Sequence, residues 1–323
     1  MYRKISAIVI PTLLAFGIIA WMLLNVWGQL LEALQHIIPQ YLIVAVIICL
    51  AAWILRGWRY HYILKSLGYM VGVVVSTACI FVSQTVNVIV PARLGDFVRV
   101  FILKHEYNIT YSEGVASLVV ERVFDIFTIA LLGAVSILFV LNAPSWFYTI
   151  IILPLVAGVI FFVFLIFIGK FSMQNKYISI ILTMLHEIRK ASLSVKSILL
   201  LGFSSIVIWL LDVLVCLAVV LMFEQKIEFA VIVLAIVIGN LVKAVPLTPG
   251  GIGTYEAALT AAFTLAGVSP DTAMIIAIID HLIKNLVTLA GGIVSIYYFG
   301  DWVIPTIKEA MTYKFGGGTS PES

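Results

Sequence analysis

Charged side chains recur inside segments that are otherwise apolar, at spacings that place them on shared helix faces. Asp280 and Lys284 are four residues apart, as are Glu121 and Asp125, and residues four apart lie on one face of an α-helix. An ionised side chain at the centre of a bilayer costs about 2.5–3.5 kcal/mol on insertion scales. We therefore expect these groups to pair with one another and to line a wet, polar cavity.

The chemistry that these residues suggest is the binding of a charged group. Asp280 and Lys284 can pair within one helix, whereas Glu121 and Asp125 need partners on other helices, because Arg122 lies about 100° around the axis. No catalytic, metal-binding or nucleotide-binding motif is present in the sequence, so no metal or other cofactor is expected. Interhelical ion pairs that only fix the packing are the plainer alternative.

The elements that carry these charges must lie in a membrane. Of the 323 residues, 63% are hydrophobic and 11% are charged, whereas a soluble domain has about 25% charged residues. The sequence predicts an all-α, polytopic integral membrane protein with one transmembrane domain over residues 1–300. Continuous apolar runs predict six full spans near 5–27, 41–64, 115–141, 150–169, 199–223 and 272–299.

Two further apolar regions, 73–104 and 229–267, are interrupted by proline and glycine. The interruptions are Pro91–Asp96 and Pro246–Gly253, and helices should stop there, because proline removes a donor and glycine weakens a helix. Each region is predicted to be a re-entrant hairpin of two short helices. The alternatives are that each region crosses the membrane fully, or that its interruption is a kink that serves packing alone.

The two interruptions belong to a weak internal repeat. Val90-Pro91-x-x-x-Gly95 matches Val245-Pro246-x-x-x-Gly250 at an offset of 155 residues. The pairs Asp125 with Asp280 and Trp53 with Trp209 have offsets of 155 and 156. We predict two units of opposite orientation, about 41–141 and about 199–299, an arrangement that recurs in secondary transporters with a substrate site between the units.

The distribution of lysine and arginine predicts the orientation, because cytoplasmic loops carry an excess of both. It places both termini, including the tail 301–323, in the cytoplasm of a multi-pass cell-membrane protein, and Lys226 outside. The stretch 171–196 is predicted to be an amphipathic cytoplasmic linker that lies on anionic lipid or is simply solvated. The cations counted as cytoplasmic are Arg3, Lys4, Arg56, Arg59, Lys65, Arg93, Arg99, Lys104, Lys170, Lys176, Arg189, Lys190, Lys196, Lys308 and Lys314.

Three motifs in this order, Pro91–Asp96, Glu121–Asp125 and Thr248–Glu256, resemble the lysylphosphatidylglycerol synthase transmembrane-region family of flippase-like membrane proteins. The resemblance covers roughly residues 5–300. It implies a membrane region associated with lipid translocation, in a member that lacks the aminoacyl-transfer domain of the fused members, since 23 residues follow Gly300. A separate lipid-modifying enzyme is then a possible partner.

The resemblance also implies which residues belong to the site region, and the charge pattern adds three more. The leading hypothesis is a lipid translocator in which cations and the helix N-terminus after Gly251 receive the phosphate of an anionic headgroup, carried by a phospholipid or a polyprenyl-linked lipid. The implied residues are Arg93, Asp96, Glu121, Arg122, Asp125, Gly250, Gly251, Gly253 and Glu256, and the added ones are Lys243, Asp280 and Lys284.

Three other functions stay open at this stage. One is a membrane-embedded enzyme that acts on a lipid-linked substrate, with Glu121, Asp125 or Asp280 as the general base. Another is an ion-coupled transporter of small solutes, for which His281 could carry a proton or be only a satisfied core residue. The last is a non-transporting protein that recruits a soluble enzyme through 171–196. A nucleic-acid partner is not expected.

Overall fold

The computed structural model describes residues 2–140, 144–168, 176–305 and 307, and within them the regular structure is entirely helical. Six helices are long and apolar enough to cross a membrane, which confirms the predicted class of fold. The helices are α1 (Tyr2–Gln35), α2 (Gln40–Leu67), α3 (Val73–Ile89), α4 (Gly95–Tyr107), α5 (Tyr111–Ser136), α6 (Ser145–Ile168), α7 (Lys176–Ser192), α8 (Val195–Met222), α9 (Phe229–Ala244), α10 (Thr254–Leu265) and α11 (Pro270–Phe299), with 3-10 turns at Ile137–Phe139 and Pro249–Gly251.

Both interruptions end helices where proline and glycine predict. Helix α3 ends at Ile89 and α4 begins at Gly95, while α9 ends at Ala244 and α10 begins at Thr254. The intervening backbone is called the first break (90–94) and the second break (245–253). Each break therefore joins two short helices, which are the two arms of the predicted hairpins, and the first arm of each, α3 or α9, is apolar.

The first hairpin begins and ends at the end of the molecule where α2 finishes. The Tyr69 hydroxyl, just beyond α2, donates a hydrogen bond of 2.5 Å to Glu113 in the first turn of α5. The end of α2, the start of α3 and the start of α5 therefore lie together, at what is called the Leu67 end. Thr110 and Glu113 form a capping box that fixes the start of α5.

The second hairpin enters from the opposite end. The Ile38 amide, just before α2, donates to the Met222 carbonyl at 3.0 Å, and Phe223 packs in one cluster with Met274 and Ile275. The start of α2, the end of α8 and the start of α11 are therefore neighbours, at what is called the Gln40 end. The two hairpins enter from opposite ends of the molecule, as expected of units with opposite orientation.

The first helices of the two units, α2 and α8, run antiparallel. Along their contact Tyr62 faces Ser197, Arg59 faces Ser205 and Arg56 faces Asp212. The residue numbers therefore decrease along α2 as they increase along α8. Both helices contain 28 residues and their starts are 155 residues apart, which is the offset found in the sequence.

The two units interlock through their short helices. Helix α3 packs extensively against α11, and α9 packs against α5 of the other unit. The Thr85 hydroxyl donates to the Thr288 carbonyl at 3.0 Å, beside Gly292, where an added Cβ would lie 1.9 Å from Thr85 Oγ1. Small residues allow this close approach between helices, and the cavity described below lies between the interlocked units.

Four of the cations counted for orientation do not lie at a surface. Arg59 and Arg99 are 1% and 0% exposed, and Arg56 and Arg93 line an interior cavity. Among the described side chains, the cations remaining at the Leu67 end are Lys65, Lys104, Arg189, Lys190 and Lys196, against Lys226 at the Gln40 end. The positive-inside rule still predicts that the Leu67 end is cytoplasmic.

Several sequence predictions fall partly or wholly outside the described residues. They concern the side chains of Arg3 and Lys4, the segment 169–175, and the tail beyond 307. Within the predicted linker, α7 is an amphipathic helix that buries Ile188 and Ala191 against the protein and exposes Ile180 and Ile181. Contact of α7 with lipid stays a prediction.

Candidate functional site

A cavity of about 380 Å³ lies between the two breaks and is lined by residues of both units. Gly253, Glu256 and Asp280 do not line it; they lie behind its wall, where Glu256 and Asp280 contact residues near or in the lining. The predicted residues that do line it are Arg93, Asp96, Glu121, Arg122, Asp125, Lys243, Gly250, Gly251 and Lys284.

The first break holds Arg93 in an unusual backbone conformation at the cavity wall. Ala92 and Arg93 have positive φ angles of 65° and 53°, a left-handed conformation that costs a non-glycine residue about 1–2 kcal/mol. Asn87 stabilises the turn, because its side-chain oxygen accepts a bond of 2.8 Å from the Gly95 amide. Such strained residues cluster at binding sites.

Asp96 and Arg122 form an ion pair at the edge of the cavity. An Arg122 Nη2 nitrogen lies 3.1 Å from Asp96 Oδ1, and the Asn87 amide donates to the same carboxylate oxygen at 3.0 Å. The carboxylate therefore has a cation and a neutral donor within reach. Both charged groups remain partly accessible, with side chains 14% and 26% exposed.

Behind this pair, two buried arginines hold the carboxylates of α5. Arg99 contacts Glu121 at 2.6 Å, and Arg59 contacts Asp125 at 2.7 Å and Glu121 at 3.9 Å. The Trp209 indole also donates to Asp125 at 3.1 Å. The partners of Glu121 and Asp125 thus come from other helices, as their spacing relative to Arg122 predicts.

In the second unit, Lys284 connects two carboxylates. Its ammonium lies 3.0 Å from Asp280, the intrahelical pair that the spacing predicts, and 3.1 Å from Asp212 on α8. Tyr255 donates to Asp280 at 2.8 Å. Lys284 is therefore neutralised from two sides.

A second set of contacts joins the end of α9 to the start of α10. Lys243 Nζ lies 2.9 Å from His281 Nε2, and His281 Nδ1 lies 2.7 Å from Glu256 Oε1. The other oxygen of Glu256 accepts from the Gly253 amide at 2.8 Å. One amide at the N-terminus of α10, that of Gly253, is thus capped by the chain's own Glu256, and the binding of phosphate at this terminus stays a prediction.

Two cavity cations differ from the rest. Within the part of the chain that the structure describes, Arg93 and Lys243 have no carboxylate within 4.0 Å, whereas Arg122 and Lys284 do. Arg93 comes from the first break and Lys243 from the last turn of the helix before the second. The cavity therefore presents two cations that no carboxylate of the described residues contacts directly, one from each unit.

Comparison with known proteins agrees with this architecture. Residues 8–292 match the family described as lysylphosphatidylglycerol synthase TM region. The chain belongs to this family.

Relatives of this member of the lysylphosphatidylglycerol synthase TM region family include archaeal membrane proteins. Glycosyltransferase AglD of Haloferax volcanii is 31% identical over 88% of this chain, which spans about half (53%) of that relative. A UPF0104 membrane protein of Methanocaldococcus jannaschii is 29% identical over 66% of this chain and 93% of the relative. Another from Methanothermobacter thermautotrophicus is 23% identical over 88% and 93%.

In this family member the cavity also contains residues that the sequence did not single out. The Arg56 guanidinium lies 5.1 Å from the ring centre of Trp53 and 5.7 Å from that of Trp209, and 4.0 Å from Asp212. The matching offset of the two tryptophans and the position of Asp212 within a span were usable signals. The amide side chains Gln84, Asn87, Asn240 and Asn285 carried no such signal.

Proposed function

We propose that this protein moves lipids across the membrane by passing an anionic headgroup through the cavity between its two units. The observation that carries the proposal is the pair of cations, Arg93 and Lys243, which line the cavity without a carboxylate partner among the described residues. An uncompensated cation in a low-dielectric site is costly, and a phosphate supplied by a ligand would offset that cost.

The charge of the lining supports an anionic ligand. Among the described residues, five cations and four carboxylates line the cavity. A volume of about 380 Å³ lies within the range of roughly 300–1,000 Å³ of small-molecule sites, so it suits a headgroup, while the chains stay in the bilayer. The lining cations are Arg56, Arg93, Arg122, Lys243 and Lys284, and the carboxylates are Asp96, Glu121, Asp125 and Asp212.

A sugar-bearing headgroup, on a phospholipid or a polyprenyl-linked lipid, fits the remaining side chains. Trp53 and Trp209 line the cavity beside Arg56, and Gln84 and Asn285 bring amide groups to it. The name of the relative from Haloferax volcanii, a glycosyltransferase, supports a glycolipid pathway. These features favour a glycosylated phosphate as the headgroup.

Lipid movement in liposomes tests the proposal. The protein is reconstituted with fluorescent phosphatidylglycerol or with a fluorescent polyprenyl-phosphate glycoside, and reduction by dithionite reports the outer leaflet. Arg93→Gln and Lys243→Gln should each slow translocation about 10- to 100-fold, because a hydrogen bond to a charged group contributes about 1.5–3 kcal/mol.

The matched controls are Arg189→Gln and Lys65→Gln, which remove the same charges away from the cavity and should leave the rate unchanged. Equal rates for Arg93→Gln, Lys243→Gln and the unaltered protein, with either lipid, would contradict the proposal.

An enzymatic function receives less support from the geometry. Glu121, Asp125 and Asp280 each contact an arginine or lysine within 3.0 Å, and a carboxylate stabilised by a cation is a weak general base. Chemical conversion of either lipid by the purified protein would favour this alternative over translocation.

A further inference from the structure

Three side chains of the second unit form a chain that leads from the cavity into the protein. Lys243 lines the cavity, its Nζ lies 2.9 Å from His281 Nε2, and His281 Nδ1 lies 2.7 Å from Glu256 Oε1. His281 is 1% exposed and Glu256 is 4% exposed. Because an imidazole can accept a proton at one nitrogen and release one from the other, this arrangement can carry a proton.

The network around the cavity has one more cation than it has carboxylates. To the five cations and four carboxylates of the lining, the contacts behind it add Arg59, Arg99, Asp280 and Glu256. Seven cations thus face six carboxylates among the described residues. In an empty cavity this excess positive charge can be removed only if a lysine is deprotonated, since arginine does not deprotonate in proteins.

Of the two cavity lysines, Lys243 is the one that can release its proton. Lys284 is held by two carboxylates at 3.0 and 3.1 Å, which stabilise its ammonium. Among the described residues, Lys243 has no carboxylate within 4.0 Å, and its Nζ lies 2.9 Å from His281 Nε2. The charged and titratable groups that face Lys243 and His281 are Asp212 from α8, Tyr255 and Glu256 from α10, Asp280 and Lys284 from α11, and Arg93 from the first break.

We infer that this chain couples the headgroup to a proton: Lys243 is protonated when an anion binds in the cavity, and the proton arrives from Glu256 through His281. This inference rests on the proposed function and supplies its source of energy, a proton gradient. One proton accompanies each anion, so that the empty and the loaded cavity are both close to neutral.

The transfer balances as a relay. In the empty state Glu256 is a carboxylate, and it first takes up one proton from solution on its own side. Glu256 Oε1–H then gives its proton to His281 Nδ1, and His281 Nε2–H gives its proton to the neutral amine of Lys243. Two bonds to hydrogen break and two form, the imidazole is neutral before and after with its proton on the other nitrogen, and the products are a carboxylate and an ammonium. The ammonium then faces the phosphate.

The Glu256 end of the relay is separated from the cavity. Glu256 does not line the cavity, and its second oxygen is bonded to the Gly253 amide. Helix α1 covers this side, because an added Cβ on Gly253 would lie 2.9 Å from Ile18. Proton and headgroup therefore reach Lys243 from different sides.

Calorimetric titration of the detergent-solubilised full chain with glycerophosphoglycerol, a phosphodiester that does not itself titrate near neutral pH, tests the stoichiometry. Comparing buffers of different ionisation enthalpy should show uptake on the order of one proton per phosphodiester bound. Lys65→Gln should behave like the unaltered protein, and Lys243→Gln should bind more weakly without proton uptake.

The outcomes separate the two proposals. Failure of the unaltered protein to bind the phosphodiester would overturn the proposed function and the coupling with it. Binding without proton exchange would overturn the coupling alone. Uptake that persists in Lys243→Gln would show that another group is protonated, and would overturn the assignment to Lys243.

A pH gradient across proteoliposomes tests the relay. For one coupled proton, the steady-state ratio of fluorescent lipid between the leaflets should shift about tenfold per unit of pH gradient. His281→Asn should abolish the response to the gradient, because an asparagine amide does not accept and release protons as an imidazole does. His186→Asn, the same substitution on α7, should keep it.

Glu256→Gln is a second variant with the same expected loss of response, and it retains an oxygen for the Gly253 amide. An intact response to the gradient in either His281→Asn or Glu256→Gln would overturn the relay. Folding of each variant is checked by its elution volume and its thermal transition in detergent.

Discussion

The charged side chains around the cavity differ in how they are neutralised. Glu121 contacts two buried arginines, Arg59 and Arg99, whereas Arg93 and Lys243 contact no carboxylate among the described residues. Glu121, Arg59 and Arg99 neutralise one another inside the protein and stabilise the packing of α2, α4 and α5. Arg93 and Lys243 leave charge available to a ligand.

This division predicts a large loss of stability in Glu121→Gln. Arg99 is 0% exposed and has Glu121 as its carboxylate at 2.6 Å, so the substitution leaves a buried guanidinium with a neutral partner. Removing one member of a buried pair costs about 3–5 kcal/mol. The thermal transition in detergent should fall accordingly.

The control is Glu187→Gln, the same change in a pair with Lys190, whose side chain is 55% exposed. Glu187 is itself 22% exposed, and a solvent-accessible pair contributes about 0–1 kcal/mol, so the transition should move far less than in Glu121→Gln. Equal losses for the two variants would show that the α5 pair does not stabilise the fold.

Ion pairs can be predicted from the sequence only where both residues lie on one helix at a spacing that brings them together. Asp280 and Lys284 were predictable because they are four apart on one helix. The pairs of Arg59 with Asp125 and Arg99 with Glu121 join positions 66 and 22 residues apart, which no local rule connects. Counting Arg59 and Arg99 as cytoplasmic charges was wrong for the same reason.

At the scale of elements, the breaks hold the functional side chains in place. Gly251 has a φ of +78°, and an added Cβ would lie 2.6 Å from Cγ of Lys243. Gly251→Ala should therefore displace Lys243 and weaken phosphodiester binding, besides costing about 1–2 kcal/mol of backbone strain. Calorimetry and the thermal transition measure the two effects separately.

Gly267→Ala provides the matched comparison, because Gly267 also has a positive φ, +94°, with nothing within 4 Å of an added Cβ. It should show the loss of stability without the loss of binding. Normal binding in Gly251→Ala would mean that the position of Lys243 does not matter.

The first hairpin depends on the close approach of its two arms. An added Cβ on Gly95 would lie 1.9 Å from the carbonyl oxygen of Ser83, which is backbone and cannot turn aside. Gly95→Ala should lower the stability by about 1–3 kcal/mol or more. Gly72→Ala, with open space around it, should not, and a similar thermal transition for both would contradict this view of the hairpin.

The positions of the breaks were predictable, since proline and glycine stop helices at Pro91 and Pro246. The capping of the α10 N-terminus by Glu256 was not predictable, because it depends on how the second break folds back. A carboxylate of the chain itself caps one amide of this terminus, that of Gly253, and the binding of phosphate there as well stays a prediction.

At the scale of the molecule, the two hairpins enter from opposite ends, and this arrangement makes a topological prediction. Lys65→Cys at the Leu67 end should be protected from an impermeant maleimide in intact cells, whereas Lys226→Cys at the Gln40 end should be labelled. The natural cysteines Cys49, Cys79 and Cys216 are buried, so the background should be low.

Labelling of both positions from outside would contradict the separation of the two ends by the membrane. Labelling of Lys65→Cys alone would show that the orientation in the membrane is the reverse of the predicted one, and the arrangement of the two units would still hold. The distribution of lysine and arginine predicted this topology, and a short repeated motif predicted the two units. The contacts between α2 and α8 show that the equivalent helices run in opposite directions.

The two breaks differ in length, with five residues (90–94) in the first and nine (245–253) in the second. The difference of four residues is about one helical turn. The second break, in the hairpin that enters from the Gln40 end, is therefore longer than the first by that amount. If the units exchange shapes during a transport cycle, the two half-cycles are unlike in energy. The length of a break would then make the two half-cycles differ in rate, whatever the headgroup, while the gradients across the membrane set the direction of net transport.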